Sequence, residues 1–126
     1  MRISHVMLHV SDIARARVFY EHLGFQLIVA ADHYCRFIVG GETTLSIEAH
    51  SGRITPSAHV CIEFDTPAAL DAEIARLAGM GVAIAEQPND KSWLWREARL
   101  IDPDGHILIY FFAGENKLDP PWRVRP

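Results

Sequence analysis

The chain has 126 residues, 49% of them apolar and 22% charged, enough apolar material for a packed core and too much for a disordered tail protein. A formal charge of -4 and a pI near 5.9 give no broad attraction for phosphate backbones, and the basic residues around Arg96 and Arg99 are too few to change that, so nucleic acid is excluded as an expected partner. No apolar stretch approaches the roughly 18 residues that span a bilayer, and Met1 to His5 enters a strand pattern with no leader-like segment, so a cytoplasmic protein without a membrane partner is expected.

In His5-Val6-Met7-Leu8-His9-Val10, a period of two puts Val6, Leu8 and Val10 on one face and His5, Met7 and His9 on the other. Asp12 is a helix N-cap, and Ile13, Ala16, Tyr20 and Leu23 recur at helical spacing until Gly24 supplies the stop. Phe25 to Val29 and Tyr34 to Val39 read as strands. Gly40-Gly41 turns into Thr44 to His50, where Leu45, Ile47 and Ala49 alternate with Thr44, Ser46, Glu48 and His50.

Ser51 to Ser57, with Gly52 and Pro56, carries no period and reads as a linker. The second half opens on another alternating run, Val60, Ile62 and Phe64 on one face and His59, Cys61 and Glu63 on the other. Thr66-Pro67 starts a helix with Leu70, Ile74 and Leu77 on its buried side, ending around Gly79-Met80-Gly81. Val82 to Ala85 reads as a strand and Ser92 to Leu100 as a longer one. Asp102-Pro103-Asp104-Gly105 is a tight turn into Ile107 to Phe112. The tail, Ala113 to Pro126, is polar and proline-rich, with Trp122 expected to cap a cleft or lie on a neighbouring subunit. Cys35 and Cys61 lie in strand patterns and read as packed thiols rather than a disulfide.

The order of elements repeats. The chain therefore reads as one α+β domain built by internal duplication, with module one at 1–50, a linker at 51–57, module two at 58–112 and the tail at 113–126. If the oily faces pack under the helices, the opposite faces turn His5, Glu48 and His59 toward a shared cleft. Two imidazoles and a carboxylate suit a divalent first-row metal with open coordination positions. Against that, strands often wet one face, and seven histidines reach wet faces by chance. Trp93 and Trp95 share a side of their expected strand and could wall a pocket for a planar ligand, with Arg96 clamping a carboxylate or phosphate; the alternative is that both tryptophans fill the core. No phosphate-cradling glycine loop, CxxC pair or GxSxG elbow is present.

Four pieces, His5-Val6-Met7-Leu8-His9-Val10-Ser11-Asp12, Phe19-Tyr20 with Leu23-Gly24-Phe25, Ala58-His59-Val60, and Asp102-Pro103-Asp104-Gly105-His106, make the chain resemble the vicinal oxygen chelate superfamily. That group holds glyoxalase I, extradiol dioxygenases, fosfomycin-resistance enzymes and bleomycin-resistance proteins. The resemblance implies two tandem βαβββ modules forming a half-open barrel-like sheet around a cleft, commonly in a homodimer. It implies His5 and His59 as metal ligands with Glu48 as an added carboxylate, and His9 or His50 in reserve. The ion, zinc, nickel, iron or manganese, would polarise vicinal oxygens of a small substrate while Glu48 or His9 moves a proton. The chain departs from the pattern at Ile109, where metal-using members place a glutamate.

Two functions follow from the resemblance. One is a metal-dependent lyase or dioxygenase. The other is a metal-free protein that sequesters an aromatic small molecule, as bleomycin-resistance proteins do, with Trp93, Trp95, Arg96, Met7 and Phe111 as the binding residues. A scaffold whose cleft is filled by Ile109, Phe111 and the tail is the third reading.

Overall fold

A computed structural model describes residues 1–125; Pro126, the end of the expected tail, lies outside the described residues. The chain gathers into two compact units, Met1–Ser57 with Asp102–His106, and Ala58–Ile101 with the residues from Ile107 onward.

The first unit contains β1 (His5–Val10), α1 (Ile13–His22), β2 (Gln26–Ala31), β3 (Tyr34–Ile38) and β4 (Thr44–Ala49). Its sheet runs β1-β4-β3-β2, with β1 parallel to β4 and the other pairs antiparallel. Asp12 caps α1 by accepting from the Arg15 backbone N–H at 3.0 Å, which satisfies one of the helix's free donors. Gly24, at φ +86°, ends it in a conformation that costs glycine nothing. Ala16 and Tyr20 of the helix pack with Leu8, Val10, Cys35, Phe37, Leu45 and Ile47 of the sheet, all of them buried. The apolar faces expected from alternation are thus the faces that pack, at about 1.5–3 kcal/mol per large side chain.

The second unit repeats the order: β5 (His59–Glu63), α2 (Pro67–Gly79), β6 (Glu86–Asp90), β7 (Arg96–Ile101) and β8 (Ile107–Phe112), followed by a 3-10 turn at Gly114–Lys117. Its sheet runs β5-β8-β7-β6, again with the first and last strands parallel. Thr66 caps α2 through the Ala69 N–H at 3.0 Å. Leu70, Ile74 and Leu77 pack with Ala98, Leu100, Leu108 and Tyr110. The fold is α+β, two βαβββ modules, as expected.

The Asp-Pro-Asp-Gly turn belongs to the first unit. Asp102 is 3% exposed; its Oδ2 accepts from the Tyr20 hydroxyl at 2.7 Å, and its Oδ1 accepts from the backbone N–H groups of Asp104 at 2.9 Å and His106 at 2.8 Å. Gly105 sits at φ +92°, where an added Cβ would lie 3.3 Å from Pro56 Cγ, so backbone and space both ask for glycine. Asp104 Oδ1 then accepts from the backbone and hydroxyl of Ser11.

Three expectations are corrected. Val82 to Ala85 forms no strand; the edge strand is the more polar Glu86–Asp90, because the partners that complete a ladder with β7 are Glu86, Asn89 and Asp90, around a bulge that accommodates Pro88. Ser92 to Trp95 lies outside the strand expected there: Lys91 N–H donates to Trp95 O at 2.8 Å and closes a turn in which Leu94 has φ +68°, so β7 begins at Arg96. Cys35 is buried, but Cys61 is exposed, and neither is in a disulfide. Among the described residues no helix is long and apolar enough to cross a membrane.

Candidate functional site

In the first unit the face away from α1 carries His5, Met7 and His9 on β1, beside Thr44, Ser46 and Glu48 on β4. His5 engages both ring nitrogens, Nδ1 with the Thr44 hydroxyl at 2.6 Å and Nε2 with the Ser46 hydroxyl at 3.0 Å. Ser46, fully buried, also bonds the Tyr34 hydroxyl and, with Arg36, holds that phenol below its ordinary pKa. Glu48 is the register partner of His9, four residues beyond Thr44, the partner of His5; at a strand rise of about 3.3 Å per residue that is some 13 Å along the sheet. The structure therefore brings together the two residues expected to move a proton, Glu48 and His9, and separates Glu48 from His5. His9 stacks on His50, ring centroids 4.7 Å apart, and its carbonyl meets His106 Nε2 at 2.7 Å. Met7 is exposed opposite Ser46.

In the second unit the corresponding face shows three rungs. His59 is exposed and lies opposite Ile107; Cys61 lies opposite Ile109, which lies opposite Arg99; Glu63 lies opposite Phe111, which lies opposite Glu97. Trp95 stacks on Phe111 with centroids 4.4 Å apart and rings 12° from parallel, and its indole N–H points to the Asn116 carbonyl at 3.4 Å. Lys117 of the 3-10 turn pairs with Glu63 at 3.1 Å, so the start of the tail lies against this face while Trp122 remains 57% exposed. Trp93, in the turn before β7, donates its indole N–H to Glu97 Oε2 at 2.5 Å.

Arg96 points the other way. Its guanidinium grips Asp71 of α2 at 2.9 and 3.1 Å and Asp90 at 3.1 Å, committing it to the helix side of the sheet. The residues that sequence reasoning passed over are Glu97 and Arg99, whose side chains share the face of Trp95. Ala98 and Leu100 were the available signal, since strand alternation groups Arg96 with that buried pair and Glu97 with Trp95.

Although Cys61 is exposed, partial desolvation of its sulfur by the surrounding sheet, with the Glu97 carboxylate adding to it, holds the thiol above its ordinary pKa, which shrinks its reactive thiolate fraction. Cys61 is therefore expected to react with iodoacetamide more slowly than a free cysteine peptide at about pH 8, the rate climbing as pH is raised further. Mass spectrometry of the alkylated protein reads this out, and a rate equal to the peptide's would refute it.

The donor set can be weighed against a divalent ion. The β4 neighbours of His5 are hydroxyls, the β8 neighbour of His59 is Ile107, and the next position along β8 is Ile109. Among the described residues no three His, Cys, Asp or Glu side chains are gathered as a metal site requires. Thiolate, imidazole and carboxylate are the side-chain groups that hold first-row ions, and the residues placed beside these two imidazoles do not fit one.

A family model described as Glyoxalase/Bleomycin resistance protein/Dioxygenase superfamily matches residues 2–110. Virulence protein STM3117 of Salmonella typhimurium is 30% identical over 118 residues, covering 85% of this chain and 81% of that protein. Its crystal structure superposes with a TM-score of 0.71 at 26% identity, covering 89% of this chain and 96% of that one. A glyoxalase/bleomycin resistance protein/dioxygenase from Nocardioides superposes with a TM-score of 0.81 at 20% identity, over 99% of this chain and 90% of the other.

Proposed function

The chain belongs to the glyoxalase/bleomycin resistance protein/dioxygenase superfamily, and we propose that within it this protein is a small-molecule binder that holds an aromatic ligand without a metal. The observation that carries the proposal is the spending of both His5 nitrogens on Thr44 and Ser46, with aliphatic Ile107 and Ile109 where the second unit would have to supply further ligands. A lyase or dioxygenase that polarises vicinal oxygens through a cation needs His5, His59 and a carboxylate on one ion, and Glu48 is placed beside His9 instead. The binding surface is the Trp95–Phe111 stack, with Ile109 of the same cluster beside it and Trp93 at its edge. A flat ligand gains there from apolar area and ring stacking.

Benzamide is the probe for this reading. Its addition is expected to quench tryptophan fluorescence, with the same midpoint before and after treatment with excess chelator. Zinc, nickel, manganese and ferrous ions, titrated separately by calorimetry, are expected to give no stoichiometric binding. One equivalent of metal, lost in the His5→Ala/His59→Ala double variant, together with quenching that the chelator abolishes, would replace this reading with the metal-dependent enzyme.

A further inference from the structure

Glu97 has a side chain 4% exposed on the same face as the Trp95–Phe111 stack. Its Oε2 takes the Trp93 indole N–H, while its Oε1 is buried with no hydrogen-bond partner. The nearest cation to Oε1 is Arg99, whose Nη2 stands 3.8 Å away, beyond hydrogen-bonding distance. Arg99 is shared with Glu86, whose Oε2 lies 3.5 Å from its Nε, and that Nε likewise lacks a hydrogen bond. Glu86 also takes Lys91, and Glu63 is occupied by Lys117. A carboxylate offers about four acceptor positions; that of Glu97 has one conventional hydrogen bond and a loose ion pair. A buried acceptor left unfilled is costly, and such a group in a native structure calls for a reason, a bound ion or ligand group being one of them.

We propose that Glu97 anchors the positively charged nitrogen of an aromatic amine or amidine whose ring lies along the Trp95–Phe111 stack. This rests on the binding reading above and names the ligand class for it. A cationic N–H donor suits Oε1 better than a neutral one because charge-assisted hydrogen bonds are about twice as strong, and the neighbouring aromatic faces also attract cations. Entry runs past Trp93, which is 43% exposed and hangs from the turn where Leu94 holds φ +68°, a backbone state unfavourable for a leucine. Displacing that ring opens Oε2, where the indole now donates, to a second ligand N–H beside the one on Oε1.

Calorimetric titration with benzamidine, benzamide and benzoate tests this, since the three share a ring and differ in charge. Wild-type protein is expected to bind benzamidine at least about tenfold more tightly than benzamide, with benzoate weakest. Glu97→Gln is expected to bring the first two affinities together, chiefly by weakening benzamidine. Trp93→Phe, which leaves the carboxylate in place and frees Oε2, is expected to widen the ratio of benzamidine to benzamide affinity, and it keeps the question open to test if Glu97→Gln folds poorly. Equal affinities for benzamidine and benzamide in the wild type, or a preference that survives Glu97→Gln, would overturn the amine anchor and leave the aromatic-binding reading standing. Failure of all three probes to bind the wild type would overturn both.

Discussion

Asp102→Ala is expected to lower the free energy of unfolding by about 3–5 kcal/mol, measured by urea denaturation, among the largest losses available from a single polar side chain in this molecule. Three donors converge on its carboxylate: the Tyr20 hydroxyl on Oδ2 and the Asp104 and His106 N–H groups on Oδ1. Tyr20 is fully buried, and each buried donor that loses its bond to the Asp102 carboxylate costs about 1–3 kcal/mol. Tyr20→Phe removes one partner only and is expected to cost about 1–3 kcal/mol. The double variant should lose less than the sum of the two, because the hydroxyl–carboxylate contact is counted in both. A loss below about 1 kcal/mol for Asp102→Ala would mean that water or another side chain takes over the three donors.

Trp95→Ala should affect both stability and binding. The indole is stacked on Phe111 and covers one end of the small cluster formed by Ile109, Phe111 and Ala113. Truncating a half-buried tryptophan and losing the ring pair is expected to cost about 2–4 kcal/mol of stability. It should also abolish the benzamide-induced quenching of the remaining tryptophans. Quenching that persists with an unchanged midpoint would move the ligand away from the Trp95–Phe111 stack. Lost stability with normal binding would make Trp95 a core residue and no more.

The two effects draw on different kinds of information. Tyr20 and Asp102 were both visible in the sequence, one on a helical stripe and the other opening a turn, but nothing local joins residues 82 positions apart. Likewise, the alternation in β1 and β4 placed His5 and Glu48 on the right faces, yet the distance between them depends on register. A parallel pair slid by two residues keeps every face and changes every neighbour. The register found sets Thr44 and Ser46 around His5 and gives Glu48 to His9.

What could be read from residues alone was whatever a few neighbouring positions settle: the caps at Asp12 and Thr66, the stop at Gly24, the helical stripes, the period of two, and the repeated βαβββ order. These depend on backbone hydrogen bonding and on burying one face, both of which act over less than a dozen residues. Only the folded chain decided that Ser92 to Trp95 is a turn, that Arg96 is spent on Asp71, that Glu97 keeps an unfilled oxygen beside an aromatic stack, and that β6 is the polar segment rather than the apolar one before it. Those outcomes depend on which strand completes which ladder and which charge meets which partner, and such pairings are fixed between segments distant in sequence.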